Sequence, residues 1–412
     1  MRPATDAPGQ IPSSARTDFR APGLTGSHMP PPDGPEMRLL VAPDSFKGSL
    51  SATRVCEIVT DAVRLADPSA EVVSVPLADG GEGTVDAFLV GAGGRPVDVT
   101  VTGPWGERVR ARYGVLADGA AVIEMAAAAG LPLVGRRLDP GRTTTYGVGE
   151  LIVHAARAGA PRIVVGLGGS ATNDGGTGAA AAAGIRFLDA RGRPFVPVGD
   201  SLAEIAHLDP ARAASALKGV EIITMCDVDN PLCGPRGAAA VYGPQKGATP
   251  DHVARLDAGL AHLAALIQQE LGVDVRHLPG AGAAGGMGAG MVAFFGSTLR
   301  SGIETVLDTV AFDRKLAGAD WVITGEGNFD AQTFQGKAVS GIARHAQRAG
   351  VPVIVVAGRV DPAAAKVAPM HGIHRVVAAS PAGASPELRL AAAEQHLRAA
   401  IAQLVPQLAT GR

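Results

Sequence analysis

From Arg38 onward, short β-branched and leucine-rich runs alternate with Ala-rich stretches of helical spacing. That alternation constrains the fold more than any other feature of the 412 residues. Leu39-Leu40-Val41-Ala42 has the unbroken apolar character of a strand buried on both faces, and Val72-Val73-Ser74-Val75 has the same texture. Between them, Ser51 to Leu65 places Val55, Ile58, Val59, Ala62 and Val63 at helical spacing, completing one βαβ unit. The pattern returns late in the chain. Trp321-Val322-Ile323-Thr324 and Val353-Ile354-Val355-Val356-Ala357-Gly358 read as strands flanking a helix from Gly336 to Ala349. Ser385-Pro386-Glu387 then predicts a terminal helix, with Leu390, Leu397, Ile401 and Leu404 along one face.

The middle third is dense in Gly and Ala, and Val97-Asp98-Val99-Thr100-Val101 alternates like a half-exposed strand. The expected fold class is therefore α/β with two domains. A discontinuous, Rossmann-like parallel-sheet domain is expected from 37–75 and 297–412, with a second α/β domain, 76–296, inserted into it. Residues 1–36 are Pro-rich and poor in large apolar side chains, so a disordered extension is expected there.

Charged residues make up 18% of the chain and the formal net charge is −2, which leaves no basic field for nucleic acid or an acidic membrane surface. A small-molecule partner is expected. Cys56, Cys226 and Cys233 lack the paired spacings of a zinc site or a disulfide framework, and no apolar run is long enough to span a bilayer, so a reducing cytoplasm is the expected location.

Five loops combine glycine with acidic, hydroxyl or amide side chains near strand ends, where open α/β sheets place their ligands. In the first, Asp44, Ser45 and Lys47 lie between a strand and a helix, suited to an anion. The second, Ala78-Asp79-Gly80-Gly81-Glu82-Gly83-Thr84, sets two carboxylates among glycines, suited to a substrate hydroxyl or Mg²⁺. The third runs from Gly166 to Gly178, and its candidates are Gly168, Gly169, Ser170, Thr172, Asn173, Asp174, Gly175 and Gly176; glycine there lets the backbone approach a ligand and present N–H groups to phosphate. The fourth holds Asp227 and Asn230, followed by Gln245 and Lys246. The fifth holds Glu326 and Asp330, oxygen donors of the kind Mg²⁺ takes. Gly285 and Gly286 belong to a charge-free glycine stretch suited to close backbone approach or to a hinge.

No Walker A motif is present, because the nearest Gly-Lys pair, Gly336-Lys337, has Ala331 and Ala338 at the other required positions. Gly166-Leu167-Gly168-Gly169-Ser170-Ala171 fits a relaxed dinucleotide fingerprint, with Asp189 in the expected region downstream, so a nicotinamide enzyme is the rival reading. The Asn173-Asp174-Gly175-Gly176 interruption weighs against it, since a dinucleotide-binding helix loses propensity there. Phosphoryl transfer, which rests on positioning, metal and charge neutralisation, suits these loops better.

Taken together, the Ala42 to Gly48, Ala78 to Thr84, Gly166 to Gly178, Cys226 to Leu232, Gly243 to Gly247 and Thr324 to Gly327 segments resemble the class I glycerate kinases over the chain from Arg38 to the C-terminal helix. The resemblance implies phosphorylation of glycerate at its C2 hydroxyl with ATP and Mg²⁺, in a cleft between two α/β domains. It further implies that Lys47 and the Gly168 to Gly176 amides neutralise phosphates or the glycerate carboxylate. Asp79 or Asp174 would orient the C2 hydroxyl, and Glu326 and Asp330 would hold Mg²⁺.

Overall fold

Strands from the two ends of the chain lie side by side in one sheet. The structure is a computed structural model that describes residues 37–78, 80–334, 338–381 and 383–409; the 1–36 extension, Asp79 and the start expected for the 336–349 helix lie outside the described residues. The outer sheet has the order Ile373–Ala378, Val353–Val360, Trp321–Phe329, Arg38–Val41, Glu71–Ser74, and all its pairings are parallel. Its central strands are buried on both faces, as continuous apolar runs require. Leu39, Val41, Ile323 and Ile354 face one side, where Ala52–Ala66 and the C-terminal helix Ala393–Ala409 cover them. Leu40, Val322, Val353 and Val355 face the other, under the helix Ala338–Ala349. Ser51 caps Ala52–Ala66 by accepting from Arg54 N, so that helix starts where the hydroxyl can satisfy an end amide.

The middle of the chain forms a six-stranded sheet ordered Thr298–Arg300, Glu221–Met225, Arg162–Gly166, Ala121–Glu124, Arg108–Leu116, Gly94–Thr102. The first four strands are parallel, and the last two add an antiparallel edge whose alternating exposure matches the expectation for Val97 to Val101. Thr298–Arg300 pairs with this sheet, so the chain returns to the outer sheet only after Arg300. A small antiparallel sheet joins Arg186–Leu188 to Pro194–Phe195 and His207–Asp209.

Both large sheets press on one layer of helices. Phe88 of Thr84–Ala92, Val306 of Gly302–Thr309 and Ile342 share a core with Leu40 and Val322 on one side and Val122, Val164 and Ile223 on the other. This common core ties the position of one sheet's loops to the other's.

One expected element is corrected. The single helix from Ser385 is two helices, Pro386–Ala391 and Ala393–Ala409, broken at Ala392, where φ is −111°. Leu397, Ile401 and Leu404 are buried, whereas the break turns Leu390 outward to 51% exposure.

Candidate active site

Two neighbouring strands of the outer sheet send their connections to opposite faces. Arg38–Val41 leads to Ala52–Ala66 on one face, and Trp321–Phe329 leads to Ala338–Ala349 on the other. This is a topological switch point, and such divergence opens a crevice at the C-terminal strand ends. The first glycine loop enters it beside Trp321–Phe329, a strand that runs through most of the expected fifth loop and carries Glu326, with Asp330 just past its end. Asp44 N donates to Gly325 O (2.9 Å), which locks one loop onto the other strand, and the Asp44 carboxylate accepts Ser45 N (2.6 Å). Glu326 accepts the Thr333 hydroxyl, and Asp330 accepts Gln332 N (2.8 Å). The resulting cavity, about 690 Å³, is lined by Asp44, Ser45, Lys47, Glu326 and Asp330, with Ser380 and Arg389 on a further wall and Asp227 reaching in from the middle sheet.

A second cavity of about 260 Å³ lies at the C-terminal ends of the middle-sheet strands. Gly168, Gly169 and Ser170 of the third loop line it, with Asp227, Tyr242, Gln245, Lys246 and Ala284. Asp227 and Val228 line both cavities. Asp227 is fixed there because its carboxylate caps Gly302–Thr309, accepting Gly302 N (2.7 Å) and the Ser301 hydroxyl (3.2 Å).

The second and third loops are stitched together by a Gly168 N to Gly80 O bond of 3.0 Å. A Cβ at Gly168 would stand 2.4 Å from Gly81 Cα, so this approach requires glycine. Beneath them Glu124 accepts Val85 N (2.7 Å) and anchors the start of Thr84–Ala92; burial raises its carboxyl pKa, and backbone bonds from Val85 and Gly83 oppose the rise.

Behind the small cavity, the third loop is almost wholly buried. Asp174 has no exposed surface, and its carboxylate accepts Thr145 N and Oγ1 (both 2.8 Å), Gly176 N (3.1 Å) and Gly178 N (3.3 Å). Burial pushes its pKa up and the four donors oppose that shift. Lys246, 2% exposed, donates to Ser170 Oγ and Thr172 O, both at 2.7 Å. Burial lowers its ammonium to about 7, with the charge of Asp174 opposing the drop. Ala284, Gly285 and Gly286 follow one another with left-handed φ of 54°, 69° and 87°. A Cβ on Gly285 would sit 2.0 Å from Thr172 O, and Ala284 carries the strain of that conformation without glycine's freedom. Against this turn, Thr172 Oγ1 and both amide atoms of Asn173 are buried with no partner among the described residues.

The structure thus brings Asp44, Ser45, Lys47, Asp227, Glu326 and Asp330 to one cavity and Gly168, Gly169, Ser170, Asp227, Gln245 and Lys246 to the other. Thr172, Asn173, Asp174, Gly175, Gly176, Gly285 and Gly286 form the buried backing instead; Gly175 N, for example, donates to Gly285 O (3.0 Å). Asn230 lines neither cavity: its amide holds Arg236 O (2.7 Å) and accepts the Tyr242 hydroxyl (2.6 Å), thereby placing Tyr242. Glu82 is exposed and also lines neither, and Asp79 lies outside the described residues. Sequence reasoning missed Tyr242, Glu124 and Arg389. Only Glu124 carried a local signal, a carboxylate ending the buried run Ala121-Val122-Ile123.

Among the described residues, no helix is long and apolar enough to cross a membrane. The Bacillus cereus protein named glycerate kinase is 48% identical over 328 residues, 79% of this chain and 86% of that relative. The Escherichia coli K12 protein named glycerate 2-kinase is 45% identical over 342 residues, 82% and 90% of the two chains. A crystal structure of a candidate glycerate kinase 2 from Salmonella typhimurium LT2 superposes with a TM-score of 0.82 at 45% identity, covering 92% of this chain and 99% of its own. A model of the glycerate kinase family matches residues 39–409, and the chain belongs to that family.

Proposed function

We propose that this chain transfers the γ-phosphoryl group of ATP to the C2 hydroxyl of glycerate, giving 2-phosphoglycerate and ADP. The observation that carries the reading is the pair of unequal cavities meeting at Asp227. The outer one, about 690 Å³, falls inside the range of roughly 300–1,000 Å³ typical of pockets for larger organic ligands. It stands at the switch point, which suits a nucleotide. The inner one, about 260 Å³, suits a three-carbon acid.

Glu326 and Asp330, with Asp44 across the same cavity, are an all-oxygen donor set of the kind Mg²⁺ takes, and these residues would hold it. Bound there, Mg²⁺ would neutralise charge on the phosphate oxygens. Lys47 pairs with the phosphates. The Gly168 and Gly169 segment, Ser170, Gln245 and Lys246 hold the glycerate carboxylate. Its C2 hydroxyl then faces Asp227, the carboxylate common to both cavities, which takes the proton as the O–P bond forms and the bond to the ADP oxygen breaks. Asp174, saturated by four donors, acts as a positioning residue, while Asp79 remains an alternative for orienting the hydroxyl. The expected lobes, 37–75 with 297–412 and 76–296, act as two lobes around this reaction, with Thr298–Arg300 falling on the middle-sheet side. Three unpaired thiols, Cys56, Cys226 and Cys233, suit a reducing cytoplasm.

The test is ADP release with Mg²⁺ and ATP, with and without glycerate, followed by phosphorus NMR of the product. Release that depends on glycerate and yields the 2-phosphate is expected. Absence of glycerate-dependent ADP overturns the proposal, and a 3-phosphate product overturns the C2 assignment.

A further inference from the structure

Pro386–Ala391 inverts the usual pattern of a surface helix. None of its residues is buried, and Leu388 and Leu390 are 52% and 51% exposed, yet the arginine between them is turned partly inward. Packing alone puts leucine inside and arginine outside. Arg389 lines the outer cavity, together with Pro386 and Leu390 of the same helix. Among the described residues it makes no ion pair; its guanidinium donates to Ala384 O, which fixes its direction.

The helix is held from behind. Ala393–Ala409 buries Leu397, Ile401 and Leu404 in the outer-sheet core, and Arg54 and Arg398 pair with Glu394 at its start (2.7 and 3.5 Å). The wall carrying Arg389 is thus anchored to the same core as the loop carrying Lys47. The cavity is lined by four carboxylates, Asp44, Asp227, Glu326 and Asp330, against two cations, Lys47 and Arg389. A polyphosphate needs positive charge beyond a metal in such acidic surroundings, and a guanidinium fork matches two phosphate oxygens at once.

We propose that Arg389 is a phosphate-binding residue for the nucleotide, presented across the switch-point crevice from Lys47 by the 386–391 helix. The assignment rests on the phosphotransferase reading above. It gives this surface helix a specificity role: a donor without a polyphosphate chain forfeits the contact.

The test uses the full chain with Arg389→Gln and Arg389→Lys. In Arg389→Gln the KM for ATP should rise about 10- to 100-fold while the KM for glycerate stays within about 2-fold, as loss of a charge-assisted contact confined to the donor predicts. Arg389→Lys should recover part of the loss, keeping the charge without the fork. Thermal unfolding supplies a readout independent of turnover. Inorganic tripolyphosphate or Mg-ADP should raise the midpoint of the natural chain and fail to do so in Arg389→Gln, whose ligand-free midpoint is unchanged. An unchanged KM for ATP, or an equal rise for glycerate, overturns the assignment even where the natural chain is an active kinase. Conversely, Arg389-dependent stabilisation by tripolyphosphate in a chain that does not phosphorylate glycerate upholds the assignment and defeats the functional reading.

Discussion

The outer crevice and the inner third loop are both built where parallel strands end, yet they are held in opposite ways. In the crevice, Asp44, Glu326 and Asp330 are half-buried, and their carboxylates accept from Ser45, Thr333 and Gln332, all close by in sequence. In the third loop, Thr172, Asn173 and Asp174 have no exposed surface, and the bonds cross the sequence, from Thr145 to Asp174, Lys246 to Thr172 and Gly175 to Gly285. Buried polar groups cannot exchange a lost partner for water, so the third loop belongs to the fold as much as to the site. Half-buried groups that water can reach carry a smaller penalty. Substitutions in the crevice and at the shared wall should therefore change turnover while sparing stability, and substitutions in the backing should do the reverse.

The largest effect tests the shared wall. Asp227→Asn keeps an acceptor for Gly302 N and so keeps the helix cap, but removes the proton acceptor. Turnover should fall about 10²- to 10⁴-fold with the unfolding midpoint nearly unchanged. Steady-state rates and thermal unfolding decide it, and retained turnover would return the base assignment to Asp79. Next comes the backing. Gly285→Ala forces a Cβ to 2.0 Å from Thr172 O at a left-handed φ, where strain and overpacking together should remove about 2–4 kcal/mol from unfolding stability. Chemical denaturation measures this; a variant as stable as the natural chain would show that the 284–286 turn relaxes freely.

The same contrast explains what the sequence disclosed. The outer sheet was legible because parallel strands are written as continuous apolar runs, and Leu39 to Val41 and Trp321 to Ile323 pair as that texture implies. The break at Ala392 was not, since alanine carries no helix-breaking signal and the periodicity of Leu390 with Leu397 says nothing of where core is available. In the site, Asp44 was legible as an acid in a loop after a strand, whereas Glu326, expected in such a loop, lies inside the strand Trp321–Phe329 and pairs with Ala357. The third loop was legible as a glycine loop, but the division between Gly168 to Ser170, which face a cavity, and Thr172 to Gly176, which do not, depends on contacts with residues 284–286, far away in sequence. Arg389 was hidden for a related reason: it lies in a short helix with no glycine to mark it, and only the tertiary fold turns it inward.

A smaller effect sharpens the role of Asp174. Asp174→Asn replaces one acceptor oxygen with a donor amide facing Thr145, Gly176 or Gly178 N–H groups that are already buried. Unfolding stability should fall by about 1–3 kcal/mol, the cost of leaving such a donor unpaired. Residual glycerate turnover in the folded fraction is expected to stay within several-fold of the natural chain, and a loss as large as that of Asp227→Asn would make Asp174 a catalytic residue after all.

The smallest effect, taken per pH unit, concerns Lys246, a buried-backing contact that also lines a cavity. Burial holds its ammonium near 7, against 10.5 for an ordinary lysine, while Asp174 pulls the other way. Between those values the unfolded chain binds a proton that the folded chain does not, so stability rises with pH through this window, by at most about 1.4 kcal/mol per unit. Below 7 both states carry the proton, the cost of burying it is fully present, and the slope vanishes. Lys246→Met leaves Ser170 Oγ and Thr172 O without their donor, which shifts stability by a constant, but it removes this pH dependence. Denaturation of both proteins at pH 6 to 9 isolates the difference. It should be flat below pH 7 and grow above it in favour of the natural chain. With saturating glycerate, a carboxylate beside Lys246 favours the charged form and should push the onset of that slope to higher pH. A difference curve that ignores glycerate would separate Lys246 from the substrate and leave it wholly with the fold.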